Sequence, residues 1–176
     1  MRGKHYQIHK NKFLLDAEYA ELERILEKYK DSDVRNVLLI ELALRTGGRA
    51  QEILNLTKAN LDHENKSILI EGIKGSNDRE IPIRTKLFER LASYVLQIKS
   101  ERLFPISYSM FREIWRFYRP VNKKLHCLRH TFAIRVYEKR RDLKLVQVGL
   151  GHRNIQNTMV YADYVFSKTE LKRLII

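Results

Sequence analysis

The chain has little that would tie it down covalently or hold it in a membrane. Among its 176 residues there is one cysteine, Cys127. That excludes an internal disulfide and fits a reducing cytoplasm. No run of about 18 apolar residues occurs, so a membrane-spanning helix is not expected. The basic start, MRGKHYQIHKNKF, lacks the apolar stretch and small-residue cleavage site of a secretion signal. No repeat, linker or low-complexity segment interrupts the sequence, and the length suits one domain with a proper core. Acidic residues are scarce as well. The 21 Asp and Glu face 34 Lys and Arg, a formal charge of +13, with a pI near 9.9. This imbalance favours a polyanionic partner, nucleic acid before an anionic membrane. Binding of that kind weakens steeply with salt through counterion release.

Residues 1–12 carry Arg2, Lys4, Lys10 and Lys12 with little apolar content. They read as a mobile basic arm that lies on phosphates, or as a disordered terminus. Residues 13–176 read as the folded domain. Helical spacing of Ala17, Leu22, Ile25 and Leu26 predicts a helix over 15–29, with Asp16 as N-cap. VRNVLLIELAL is dense enough in apolar residues for a buried core helix, ended by Thr46, Gly47 and Gly48. A short helix over 49–56 follows. The period then changes. SILI and REIPI flank the turn chemistry of Gly75-Ser76-Asn77-Asp78, which predicts a hairpin in a small sheet. Pro82 places the second strand at an edge. Helices are predicted over 86–98 and 107–119, the latter starting at Ser107 or Ser109 and stopped by Pro120. In the latter, Arg112, Arg116 and Arg119 form one stripe, read as a phosphate-contacting face or a solvated one. Lys123 and Lys124 extend that candidate DNA-binding set. A last helix over 166–176 ends in apolar residues that either fold back on the core or dock into a neighbour. The fold class is therefore mainly α with a small antiparallel β-sheet, an α+β arrangement.

The stretch from His126 to Tyr161 concentrates the chemistry. His126 and Arg129 are three apart on one helical face. His152 follows Leu150-Gly151, where a glycine ends one helix and lets the next begin. Tyr161 lies nine residues further on. A phenol nucleophile, a cationic fork and two imidazoles can attack a phosphodiester and stabilise its charge without a metal. The pair His126 and His130, at i and i+4, has metal-ligand spacing. HCLRH, however, lacks the internal glutamate of a zinc-protease helix, and Cys127 points off that face. No metal site is expected, and His130 reads as structural.

HCLRHTFA, LGH and the tyrosine nine residues beyond resemble the carboxy-terminal signature of the tyrosine recombinase (phage integrase) family. LRTGGRAQEILNL resembles its first arginine motif, and EGIKGSNDREIPI its lysine-bearing hairpin. The motifs occur in family order, and the resemblance covers nearly the whole chain. The resemblance implies the family's catalytic-domain fold, no cofactor, and double-stranded DNA as partner. It implies site-specific recombination through a 3′-phosphotyrosine and a Holliday junction, in a tetramer on paired sites. Arg49 and Arg129 then hold the non-bridging oxygens, with Glu52 orienting the site. His126 takes the place of the general base or a second proton-handling group, and His152 donates to the scissile phosphate. Lys74 is the general acid for the leaving 5′ oxygen, and Tyr161 the nucleophile. Tyr164 competes for that role but reads as packing. Type IB topoisomerases and telomere resolvases share this chemistry. A non-catalytic DNA-binding regulator on the same scaffold is the alternative of another class. Gly48 and Gly149 depart from common family residues without touching a catalytic position. The larger departure is length, since most relatives carry a separate amino-terminal clamp. The chain is expected to be an isolated catalytic domain or a minimal recombinase.

Overall fold

The protein is described from a computed structural model that covers residues 7–165 and 171–175. The densely apolar segment folds as α2 (Val34–Thr46), in which Val37 to Ile40 and Leu42 to Leu44 are all buried. A helix apolar on nearly every face has to be covered on every face. Four helices do this: α1 (Asp16–Tyr29), α3 (Ala50–Asn55), α4 (Thr85–Gln97) and α6 (Cys127–Arg140). Between α3 and α4 lies a three-stranded antiparallel sheet of β1 (Leu61–Asp62), β2 (Ser67–Ile70) and β3 (Arg79–Pro82). The predicted hairpin is β2–β3, in register Ile68 opposite Ile81, and Pro82 does stand on an edge strand. The two-residue β1 was not anticipated. Its side chains are too few for a period-2 signal to show.

The helix α5 (Tyr108–Tyr118) is amphipathic, with Phe111, Ile114, Trp115 and Tyr118 buried. Ser107 is its N-cap and accepts from the Met110 amide at 3.1 Å. The first helix begins differently from expectation. Leu15, not Asp16, occupies the cap position, and the Glu18 carboxylate accepts from the Leu15 amide at 2.8 Å. Two further helices, α7 (Leu143–Leu150) and α8 (Gln156–Val165), pack with the second half of α6 around a separate apolar cluster. Ile8 and Phe13 are buried in that cluster, so the end of the basic amino-terminal segment is packed, not loose. Residues 1–6 lie outside the described set, as do 166–170 of the predicted last helix. The described part of that helix, α9 (Leu171–Ile175), leaves Leu174 and Ile175 exposed.

One glycine ties the core helix to the site. Gly47 ends α2 in the left-handed region at φ +64, where an L side chain is strained. A Cβ there would also sit 2.4 Å from the Phe132 ring, and the Gly47 carbonyl accepts from Arg129 at 2.6 Å. Gly47→Ala is expected to lower stability by about 1–3 kcal/mol. A denaturant melt checks this, and an unchanged midpoint would show that the turn tolerates a side chain.

Candidate active site

The site begins with a buried carboxylate. Glu52 sits in the first turn of α3, only 2% exposed. Its Oε2 accepts from the Arg49 amide at 2.7 Å and from Arg79 Nη2 at 2.6 Å. Its Oε1 accepts from Arg49 Nη1 at 3.1 Å, and Arg129 Nη1 lies 3.8 Å from Oε2. Burial works against this negative charge. The Arg79 hydrogen bond, the Arg49 amide and the facing guanidiniums outweigh it and hold the carboxyl below its ordinary range. Three guanidiniums around one carboxylate leave two positive charges uncompensated at the site. A phosphodiester brings one negative charge, and more as it is attacked, so the excess has the right sign and size.

Arg129 is fixed from both sides. Nη1 donates to the Gly47 carbonyl at the end of α2, and Nη2 to the Leu150 carbonyl at the end of α7, at 2.8 Å. Both carbonyls are left over where their helices terminate, so helix ends supply the acceptors. Burial, then the neighbouring Arg49, pull its pKa down to about 9 against the pull of Glu52, and it stays charged at neutral pH. Gly151, at φ +68, closes α7 and turns the chain toward His152. His152 Nε2 lies 3.0 Å from Arg129 Nη2 and its Nδ1 2.9 Å from Thr158 Oγ1. A guanidinium can only donate, so Nε2 accepts and Nδ1 carries the proton. Here His152 therefore presents its lone pair to Arg129. The donation to phosphate implied by the resemblance needs a different arrangement of that ring.

Arg49, His126, Arg129, His130, His152 and Tyr161 line one pocket of about 570 Å³. Five of the six expected catalytic residues meet there. Lys74 does not line the pocket. It stands exposed at the tip of the loop between β2 and β3, with φ +51. The root of that loop is anchored to the site: Ser76 accepts from Arg49, and the Asn77 amide donates to the Gly151 carbonyl at 2.9 Å. Tyr161 is 2% exposed, and its hydroxyl lies 3.0 Å from His130 Nδ1. Tyr164 instead packs edge-on against Phe13, with ring centroids 5.0 Å apart.

One assignment needs correction. Lys123 does not face solvent. Its ammonium is buried, donates to the Phe13 carbonyl at 2.7 Å and pairs with Glu18, so its charge is already taken up and is not offered to a phosphate. His130, read as structural, is indeed buried, and its Nδ1 also meets the hydroxyl of Tyr161. Arg112, Arg116 and Lys124 are exposed, while Arg119 is half-buried and turned toward the Lys123 carbonyl at 3.4 Å. Arg79 was missed altogether. It anchors Glu52 and donates Nε to the Gly149 carbonyl at 2.9 Å. A signal was there to read, since Arg79 shares the inward phase of its strand with Ile81. An arginine in a core-facing phase implies a buried anion. Among the described residues no group of three or more metal-ligating side chains comes together.

The family profile described as the phage integrase family matches residues 13–168. The chain belongs to that family. It is 28% identical over 155 residues to the tyrosine recombinase XerA of Pyrococcus furiosus, spanning 80% of this chain and 54% of that protein. It is 30% identical over 186 residues to the tyrosine recombinase XerC of Bacillus pumilus, spanning 92% of this chain and 59% of the other. The chain thus spans about half the length of the curated relatives it matches. Its fold is similar to XerH site-specific recombinase bound to difH substrate in a pre-cleavage complex, with TM-score 0.70, 29% identity, and 86% and 50% of the two chains covered. It is also similar to the catalytic domain of bacteriophage HP1 integrase, with TM-score 0.66, 27% identity and 90% of both chains covered.

The imidazoles make stability depend on pH. Burial, then nearby positive groups, lower the pKa of His130 to about 3 and that of His152 to about 4, from an ordinary 6.5. Between those limits the unfolded chain binds more protons than the folded one. Their contribution is complete above about 6.5 and is lost as pH falls toward the folded values, where Glu52 adds to the loss. Thermal melts from about pH 7.5 to 4.5 are expected to show a plateau and then a falling Tm. A flat profile would exclude neutral imidazoles in the folded state.

Proposed function

We propose that this chain is the catalytic domain of a site-specific DNA recombinase, cutting and rejoining strands through a 3′-phosphotyrosine. The observation that carries this reading is the convergence of Arg49, Arg129, His126, His152 and Tyr161 on one pocket with a net positive charge. The charge excess suits the transition state of phosphoryl transfer better than its ground state. Tyr161 attacks the phosphorus. Arg49 and Arg129 hold the non-bridging oxygens, with Glu52 and Arg79 keeping both guanidiniums in place. His126, exposed at the pocket, handles a proton, and His152 turns to donate to the phosphate. Lys74 reaches the leaving 5′ oxygen from its exposed loop tip when DNA fills the groove. The phosphoester energy is retained in the tyrosyl bond, so the returning 5′ hydroxyl of a second strand can complete exchange through a Holliday junction with no cofactor. Exposed Leu174 and Ile175 support a homo-multimer on paired sites, a tetramer in this reading, since exposed apolar side chains favour a partner surface. A single buried cysteine and a DNA substrate support a cytoplasmic setting.

The test is covalent trapping on nicked suicide duplexes built from candidate crossover sites. A denaturing gel is expected to show a protein–DNA adduct that Tyr161→Phe abolishes and Tyr164→Phe retains. An adduct that survives Tyr161→Phe would place the nucleophile elsewhere. The exposed α5 stripe yields a second expectation. Replacing Arg112 and Arg116 by alanine is expected to weaken binding to all duplexes alike. It should also reduce the slope of log K against log salt by about one for each phosphate no longer neutralised. Fluorescence anisotropy at several salt concentrations reads this. An unchanged slope would make the stripe a solvated face.

A further inference from the structure

The resemblance supplies groups for the phosphate oxygens and for the leaving group, but the proton of Tyr161 also has to go somewhere. A phenol ordinarily ionises near pH 10, so at neutral pH it attacks well only as its proton is removed. His130 is within reach of that proton, with its Nδ1 3.0 Å from the Tyr161 hydroxyl. His126, the expected proton-handling residue, contacts His130 instead, ring edge to ring face with centroids 4.6 Å apart.

We propose that His130 accepts the phenolic proton of Tyr161 as the tyrosine attacks the phosphodiester. This rests on the strand-transfer reading given above. The Tyr161 oxygen–phosphorus bond forms while the bond from phosphorus to the 5′ oxygen breaks. The phenolic proton passes to His130 Nδ1, and the leaving oxygen takes a proton from the Lys74 ammonium. In the reverse step the 5′ hydroxyl attacks the phosphorus and gives its proton back to the Lys74 amine, while Tyr161 leaves as a phenolate and takes its proton from His130.

Two features separate this role from that of an ordinary buried hydrogen bond. First, His130 stands between two pockets. On one side it lines the site with Tyr161 and the arginines. On the other it lines a cavity of about 280 Å³ shared with His9, Lys12, Lys124 and His126. A proton taken from the buried phenol thus has an outlet that does not cross the phosphate site. Second, its surroundings are set to change when DNA arrives. Burial, and then the positive groups around it, keep the imidazole neutral, and a neutral ring that accepts the phenolic hydrogen bond at Nδ1 holds its lone pair there. A phosphodiester bound to Arg129 and Arg49 cancels part of that positive field and raises the basicity of His130 at the moment of attack.

The experiment follows the rate of adduct formation on suicide duplexes carrying either oxygen or sulfur at the scissile 5′ position. A sulfur leaving group departs without a proton, so it relieves a missing acid and does nothing for a missing base. Lys74→Ala is expected to be restored by sulfur. His130→Ala is expected to be slowed about 100-fold or more on both substrates and to be accelerated by added imidazole, which enters the space left beside the second cavity. His130→Asn keeps an acceptor near the position of Nδ1 but cannot take up a proton, and is expected to stay slow while melting like the wild type. A wild-type rate in His130→Asn would reduce His130 to holding the phenol in place and overturn the proposal. So would a folded His130→Ala that cleaves normally or that imidazole fails to accelerate. If the alanine variant does not fold, the asparagine variant decides alone. A wild-type chain that forms no adduct would remove the strand-transfer reading, and this inference with it.

Discussion

A single buried carboxylate organises the site. Glu52 has no exposed side-chain surface, and an ionised carboxylate in such a place is stable only when paired and hydrogen-bonded. Its partners come from three separate parts of the chain: Arg49 at the start of α3, Arg79 on β3 and Arg129 on α6. Each of those arginines is in turn anchored elsewhere. Arg79 reaches the Gly149 carbonyl, Arg129 the ends of α2 and α7, and Arg49 the Ser76 hydroxyl. The sheet, the core helix and the carboxy-terminal helices therefore meet through one charge. Removing Glu52 would leave three guanidiniums in mutual repulsion, which makes the carboxylate a positioning group for the whole cationic cradle.

The site lies where two apolar clusters meet. The larger is built around α2 and takes in the sheet, α4, α5 and the first turn of α6. The smaller holds the rest of α6 with α7, α8, Ile8 and Phe13. The α6 helix belongs to both, which is why its residues can face helix ends from either side. The smaller cluster also contains Tyr161, so the proposed nucleophile is packed as a core residue while it lines the pocket. Burial of that kind protects a reactive phenol from water and fixes its direction. It also makes proton removal depend on what else is buried beside it, and that is His130.

Much of the fold and site is legible in the linear pattern. The density of apolar residues in α2, the alternation around the hairpin and the Ser107 cap all have local causes, and local causes are what a linear pattern records. Helical geometry puts His126 and Arg129 on one face, while His152 and Tyr161 are readable through the resemblance of their motifs to those of the family. Lys123 shows the limit. In the sequence it stands beside Lys124 in a run of like character, yet one is exposed and the other is buried against Phe13 and Glu18. Nothing in residues 120–125 distinguishes them, since the acceptors lie about a hundred residues away.

The amino-acid sequence by itself determined the core helices, the edge strand and the basic balance of charge, because periodicity, capping and proline act over a few residues. The resemblance of its motifs to the family's singled out most of the proposed catalytic set. Only the tertiary structure decided which charges are uncompensated and which hydrogen bonds the reactive groups make. Arg79 entered the site, Lys123 left the DNA-binding set, Lys74 stayed at its loop tip and His130 came to face Tyr161 through contacts between distant segments. A buried charge or phenol takes its chemistry from whatever polar group the fold places within about 3 Å of it, and that neighbour is set by packing rather than by order along the chain.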